Sequence, residues 1–333
     1  MNPSQTQSPH NSQNRPSSNR SPDTDTDHDL VDRLTNSILE EPRTRHLLTT
    51  HLPDRDTVSD LVDDLRDLMF PGFYRRRGLT KDNLRLHVQE LVSRIHLAVE
   101  QQVRAVLRYV KHIDTDTADS HDSRECDRTA KDCAAQFMDQ LPEIRRMLAL
   151  DVQAAFDGDP AALHTDETIF CYPGVDAIFS HRVAHALYKL RVPLLPRIIQ
   201  ELSHSRTGID IHPGAQIGES FFVDHGAGVV IGQTSEIGRH VRIYQGVTIG
   251  ATSFELDSNG QLKRTGDTKR HPTIGDRVTI YAGAVILGGD TIIGDDCVIA
   301  GSVFVTESVP PGCLVRQEKP ELVLRSVQDR SKQ

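Results

Sequence analysis

From Thr207 onward, aliphatic residues recur every six positions. Ile211, Ile217, Val223 and Val229 form one series, and Ile231, Ile237, Ile243 and Ile249 continue it after a shift of two. The series resumes at Ile274 and Ile280, slips by one residue at Leu287, and runs on through Ile293, Ile299 and Val305. A period of six fits neither an α-helix nor an alternating hairpin strand. It fits a parallel β-helix, in which three short sides make one coil and each turns an aliphatic side chain inward. Glycine often follows, as in Ile217-Gly218, Ile231-Gly232 and Ile293-Gly294, because a corner needs unusual dihedrals and little bulk. One insertion, Ala251 to Arg270, carries the turn residues Asp257-Ser258-Asn259-Gly260 and reads as a protruding loop.

The rest of the chain has a different composition. Of 22 glycines, only Gly72, Gly78, Gly158 and Gly174 lie before Gly208. Residues 29–205 have helical periodicity. Leu84, Val88, Leu91, Ile95, Val99, Val103, Leu107 and Val110 form one apolar stripe. Phe137, Leu141, Ile144, Leu148, Val152 and Phe156 form another, ended by Gly158 and Pro160. A further helix is expected over Ala177 to Leu190, before Pro193 and Pro196. His112 to Asp132 is polar and aspartate-rich and reads as a solvated loop. Residues 1–28 lack aliphatic and aromatic side chains after Met1, too few apolar groups to offset ordering entropy, and read as a disordered tail. The expected organisation is therefore a tail at 1–28, helices over 29–205, a β-helix over 206–316 with its loop at 251–270, and a C-terminal tail at 317–333.

Composition excludes several function classes. Acidic residues number 47 against 38 basic ones, a net charge of −9, which weighs against nucleic acid as a partner. The run Arg75-Arg76-Arg77 reads as a solvated patch. No stretch approaches eighteen consecutive apolar residues, so no membrane span is expected. Five cysteines without a CxxC pair, in a chain whose start lacks a secretory pattern, read as reduced thiols in the cytoplasm.

Chemistry is expected where polar residues interrupt the six-residue rule. In Phe222-Val223-Asp224-His225-Gly226-Ala227-Gly228, a histidine among glycines gives a general base with room for a substrate. Asp210 precedes His225 by 15 positions. With a coil of about 18 residues they fall about one rung, ~5 Å, apart, where Asp210 could fix the imidazole tautomer. Arg270-His271 closes the loop, where an arginine fork could clamp a carboxylate. His181 and His185 have a spacing that can bind zinc, but the glutamate of HExxH is absent, so packing is expected and no metal site is assigned. Ile199 and Leu202 read as contacts to neighbouring copies.

Several blocks resemble bacterial serine O-acetyltransferases, in particular the subgroup with a long N-terminal helical extension. They are Tyr172-Pro173-Gly174, His204 through Gly214, Asp224-His225-Gly226, Tyr244 through Gly250, Arg270-His271-Pro272 and Glu307 through Gly312. The resemblance implies an α+β chain, an N-terminal α-helical domain followed by a C-terminal left-handed parallel β-helix of hexapeptide repeats. It also implies a homotrimer or dimer of trimers with sites between subunits. The implied substrates are L-serine and acetyl-CoA, the latter a co-substrate, with no permanently bound cofactor. It makes His225 the general base and Asp210 its orienting carboxylate. Asp159 and Asp224 would hold the serine ammonium, and Arg270 and His271 its carboxylate. Gly250 and Ala251 would face the thioester oxygen, and Ala282 and Ala300 would line the acetyl-CoA groove. Ala227 stands where the family usually has Thr, and Gln233 where it has Glu. The chain ends without the terminal isoleucine that docks into cysteine synthase in other members, which weighs against that complex. The alternatives are a hexapeptide-repeat acetyltransferase acting on a sugar or another small acceptor, and a zinc β-helix hydratase.

Overall fold

The computed structural model describes residues 24–46, 52–111, 121–253, 256–263, 266 and 268–318. Most of the two expected tails, 1–23 and 319–333, lies outside the described residues. Met1–Thr49 and Thr50–Gln333 are separate compact units. The first contains helix α1 (Thr24–Glu40), with Leu30, Val31, Leu34, Ile38 and Leu39 exposed. It begins inside the segment expected to be tail. Asp27 in its first turn complements the positive end of the helix dipole and Asp29 pairs with Arg33 one turn on, signals that hydrophobicity alone does not register.

In the second unit, helices α2 (Arg55–Met69), α3 (Lys81–Val110), α4 (His121–Gly158), α5 (Thr165–Cys171), α6 (Pro173–Lys189) and α7 (Leu195–Thr207) precede the strands. A capping box starts α3, with Thr80 and Asn83 satisfying each other's backbone N–H groups. Of its stripe, Leu91, Ile95, Val99 and Val103 are buried, while Leu84 and Val110 at its ends reach solvent. The expected loop over 112–132 is corrected: α4 begins at His121. Cys126, Ala130, Cys133 and Ala134 extend the buried stripe of Phe137 and Leu141 toward the N-terminus, and small residues make that stripe hard to see. The polar residues between them pair with α3, Arg108 with Asp127 at 2.8 Å and Lys111 with Glu125. Arg75 likewise pairs with Asp63 and Asp64, and Arg76 with Glu90, so the arginine run ties segments together rather than forming a merely solvated patch. Ile199 is fully buried within the helical core, so it is not available to a neighbouring copy.

After α7, a left-handed Gly208 (φ +68°) turns the chain into the β-helix. Short parallel strands stack into three faces, making a left-handed parallel β-helix. The first face holds Asp210–Ile211, Val230–Ile231, Thr248–Gly250, Val285–Leu287 and Phe304–Val305. The second runs from Gln216–Ile217 to Ile292–Ile293, and the third from Phe222–Val223 to Leu314–Val315. Inward isoleucines stack in register, for example Ile231 on Ile249 on Ile286. The inward residue is therefore Ile286, which is fully buried, and Leu287 is only half-buried. The six-residue period persists through Ile286. The extra residue falls after it, at Gly288 (φ +109°) and Gly289, where the chain passes Lys269 and Arg270 too closely for a Cβ. The earlier shift of two has a similar origin: Asp210 pairs with Val230, making a coil of 20 residues, and the added length sits in the corner carrying His225. The expected loop forms a small hairpin where described, with Leu256 bridging Leu262. No helix among the described residues is long and apolar enough to cross a membrane.

A solenoid needs its open end covered. Here α6 does so, with Ala177 and Ile178 buried against Ile209 and Ile211 of the first coil. Arg182 of α6 fixes the contact. Its guanidinium donates to both Asp151 oxygens of α4 and to the carbonyls of Ile217 and Gly218, while Phe221 N donates to Asp151. His181 and His185 stack at 5.5 Å on the same helix, and His185 Nδ1 bonds the Pro213 carbonyl.

Removing one partner of a buried ion pair leaves a bare charge, which typically costs about 3–5 kcal/mol. Asp151→Ala should destabilise the protein by that amount in denaturant titration at fixed protein concentration, and Asp151→Leu with Arg182→Met by clearly less. Burial lowers the pKa of both His181 and His185 from the ordinary 6.5. Below that value the unfolded chain takes up protons that the fold refuses, so stability is complete above pH 6.5 and falls as pH drops. For one fully buried group such as His181 the slope approaches about 1.4 kcal/mol per pH unit. Melting temperatures from pH 7.5 to 5.5 should decline, and His181→Asn should flatten the decline.

Candidate active site

The lengthened corner after Val223 is the first edge of the β-helix, where the third face meets the first. His225 adopts φ +55°, uncommon for a side chain with a Cβ, and Gly226 follows at +82°. A Cβ on Gly226 would lie 2.4 Å from Ile209 Cδ1, so the corner can close only with glycine there. The result is an imidazole pushed outward, 70% exposed, with Nδ1 3.7 Å from Asp224 Oδ1. Asp224 itself is mostly covered, at 15% side-chain exposure.

A second carboxylate reaches this edge from the helices. Tyr172 O–H donates to Asp159 Oδ2, and Ala161 N donates to Oδ1 at 2.8 Å. These bonds, with a smaller contribution from the nearby His225, hold the Asp159 carboxyl below the usual range and so keep it charged. The same bond to Asp159 raises the Tyr172 pKa and keeps the phenol protonated as a donor. Tyr172-Pro173-Gly174 thus has a physical reading that sequence alone did not supply. Tyr172 holds Asp159, Pro173 starts α6, and Gly174 packs where a Cβ would lie 2.2 Å from the Val223 carbonyl. Asp159, Tyr172, Asp224 and His225 therefore form one group.

Asp210 lies beside the corner, its N–H donating to the Val229 carbonyl at 2.9 Å. No hydrogen bond joins Asp210 to His225; its carboxylate lies 3.9 Å from the Arg197 guanidinium. The spacing argument assumed a shorter coil than the 20 residues found here. Asp210, Glu201 and His204 bring oxygen and nitrogen atoms within 4.8 Å of one another, and Arg197 also pairs with Glu201. A guanidinium already supplies the positive charge that three such groups would draw.

Arg270 and His271 lie on the second edge, where the first face meets the second. Thr234 organises them: its Oγ1 accepts from both Arg270 N (2.9 Å) and His271 N (3.2 Å). Thr234 N and Oγ1 also contact His271 Nδ1, at 3.1 and 2.8 Å. Because Nδ1 accepts the backbone N–H, the ring proton must sit on Nε2. Burial, then the charges of Arg270 and Lys269, lower the His271 pKa to about 4. His271 is thus a neutral donor near neutral pH. Gly232 makes room for it, since a Cβ there would meet Nε2 at 2.1 Å. Arg270 donates to the Gly266 and Thr268 carbonyls and to Gln233 Oε1. Neither Gln233 nor Thr234 stood out in sequence as part of this arrangement.

Gly250 and Ala251 are on this second edge, with Gly250 O accepting from Gly288 N. Ala282 and Ala300 are on the first, below His225. A ladder of backbone bonds runs down that edge through Ala227, Gln245 and Ala282. The candidate residues therefore fall into two half-sites at opposite edges of the first face.

No protein-family profile matches the chain. A plasmid-encoded serine acetyltransferase of Synechococcus elongatus is 43% identical over 280 residues, covering 83% of this chain and 86% of that protein. Serine acetyltransferase of Bacillus subtilis is 49% identical over 165 residues, half of this chain and 70% of its own length. Among solved structures, Entamoeba histolytica serine acetyltransferase 1 in complex with L-cysteine superposes with a TM-score of 0.65 at 33% identity, covering 87% of this chain and 97% of that one. The resemblance first seen in short motifs thus extends over most of the length of a relative and over both helices and β-helix: this chain belongs to the serine acetyltransferase family.

Proposed function

We propose that this protein transfers acetyl from acetyl-CoA to the hydroxyl of L-serine, yielding O-acetyl-L-serine and CoA for cysteine synthesis in the cytoplasm. The observation that carries this reading is the pairing of an exposed imidazole, His225, with two carboxylates, Asp159 and Asp224, on one edge. A neutral sugar offers two anions only hydroxyl donors, whereas an amino acid offers an ammonium that also neutralises their charge.

In this mechanism the ammonium sits between Asp159 and Asp224, and Arg270 with the neutral His271 donates to the carboxylate. His225 removes the hydroxyl proton as the serine oxygen attacks the thioester carbonyl. The tetrahedral oxyanion is met by backbone N–H groups around Gly250 and Ala251. It collapses by breaking the carbon–sulfur bond, and the imidazolium returns its proton to the departing CoA thiolate. Acetyl-CoA lies along the first edge past Ala282 and Ala300. Asp210 is the carboxylate that orients the His225 imidazole.

Two half-sites on opposite edges of one face make one site only when copies are combined. Along the first face the outward column is Asp210, Val230, Thr248, Val285 and Phe304, with Phe304 65% and Val230 39% exposed. Three such faces around a threefold axis would place one copy's His225 edge beside its neighbour's Arg270 edge, while covering Val230, Val285 and Phe304. The assembly is accordingly a homotrimer, or a dimer of trimers.

Release of CoA thiol from acetyl-CoA should depend on L-serine and should not be supported by amino sugars; the opposite acceptor preference would overturn the reading. His225→Ala should lower kcat by about 10²–10⁴-fold with the assembly intact, and near-full activity would remove His225 as the base. Light scattering at micromolar concentration should give three or six copies, and a monomer that is active would exclude a shared site.

A further inference from the structure

On the third edge of the β-helix, where the second face meets the third, glycine follows each of Ile217, Ile237, Ile274 and Ile293. The first edge breaks that rule. There the residues after Val223, Ile243, Ile280 and Ile299 are Asp224, Tyr244, Tyr281 and Ala300, and the pairing of the preceding strands stacks them in one column. Asp224 N donates to the Ile243 carbonyl, Tyr244 N to that of Ile280 and Tyr281 N to that of Ile299, so each lies one rung below the last. The two phenol rings stack, with centroids 5.1 Å apart and planes inclined by 17°. Tyr281 is 44% exposed. Tyr74 and Tyr172 give their hydroxyls to protein acceptors, whereas among the described residues those of Tyr244 and Tyr281 have no partner. An aromatic pair thus stands on the outside of a corner that elsewhere closes with glycine.

We propose that Tyr281 binds the pantetheine arm of acetyl-CoA, and that Tyr244, stacked on it, is the positioning residue of its ring. This rests on the reading of the first edge as the acetyl-CoA groove. Tyr281 precedes Ala282 in the chain and sits one rung above Ala300, the two residues assigned to that groove. Two rungs separate it from Asp224, about 10 Å at the spacing of neighbouring strands. With the thioester beside His225, an arm extended down the edge brings its second amide, about eight bonds from the sulfur, to a depth of about 9–10 Å. That depth is the rung of Tyr281. The ring lies against the apolar methylenes of the arm, and the free hydroxyl donates to the amide carbonyl. The nucleotide continues past Ala300.

The test is steady-state kinetics on the full-length protein with three acetyl donors. They are acetyl-CoA, acetyl-pantetheine, which lacks the nucleotide, and S-acetyl-N-acetylcysteamine, which ends after the first amide. Tyr281→Ala should raise KM for acetyl-CoA about tenfold and KM for L-serine by less than about twofold. Tyr281→Phe, which keeps the ring and loses the hydroxyl, should raise KM for acetyl-CoA about threefold. At saturating serine, Tyr281→Ala should also cost about tenfold in kcat/KM with acetyl-pantetheine, but less than about twofold with S-acetyl-N-acetylcysteamine. Tyr244→Leu should raise KM for acetyl-CoA about threefold alone and by less than about twofold when added to Tyr281→Ala, since it acts through that ring. An unchanged KM for acetyl-CoA in Tyr281→Ala would overturn the proposal, as would an equal loss with the shortest donor. Parallel rises in both Michaelis constants would overturn it too, by marking a disturbed fold instead of a lost contact. A loss with acetyl-CoA that is absent with acetyl-pantetheine would put the ring on the nucleotide and overturn the assignment to the arm. If the unaltered protein releases no CoA with serine, the proposed function and this proposal fall together. If it does and Tyr281→Ala is indifferent, only this proposal falls.

Discussion

The seating of α6 on the first coil depends on one buried fork. Arg182 and Asp151 satisfy each other and the backbone groups of Ile217, Gly218 and Phe221, at 5% and 1% side-chain exposure. A bidentate arginine–carboxylate pair fixes orientation as well as distance. With α4 and α6 clamped there, Ala177 and Ile178 close the hydrophobic end of the solenoid. The end of α4 and the start of α6 then deliver Asp159 and Tyr172 to the His225 corner. The position of a surface carboxylate thus follows from a buried salt bridge well away from it.

The two half-sites solve different electrostatic problems. On the first edge two carboxylates stand beside an exposed imidazole, and Asp159 stays ionised because Tyr172 and a backbone N–H bond its charged form. On the second edge the Arg270–His271 pair carries one charge. His271 is kept neutral by burial and by its cationic neighbours, so Arg270 bears the positive charge while His271 adds directionality. Thr234 supplies the local wiring, accepting two backbone N–H groups while contacting the imidazole.

Much of this was legible in the sequence where the signal was local and periodic. The inward isoleucines announce the β-helix because each must fill the same narrow interior. The slip assigned to Leu287 was off by one because a leucine fits the pattern as well as Ile286, and only stacking on Ile249 distinguishes them. The start of α4 was hidden because Cys126, Ala130 and Ala134 carry little hydrophobic weight while Asp127 and Glu125 suggest solvent. His225, Asp210, Arg270 and His271 stood out as polar breaks in the six-residue rule, and motif resemblance added Asp159 and Asp224. Their division between two edges depended on where the corners fall, which a fixed repeat does not reveal. Gln233 was noticed only as a departure, since its partner Tyr188 is 45 positions away.

Helix α6 touches all three corners of the first coil: Gly174 at the His225 edge, Arg182 between the second and third faces, and Tyr188 at the Arg270 edge. At 17 residues it spans about 25 Å. In the threefold arrangement proposed above, its two ends serve different active sites, one shared with each neighbour. Three such helices and three sites then alternate in a closed ring, each rod acting as a gauge bar between two reaction centres. A single side-chain change that shifted α6 along its axis would put both of its sites out of true at once, so the tolerance of the whole ring is set by the rigidity of one helix.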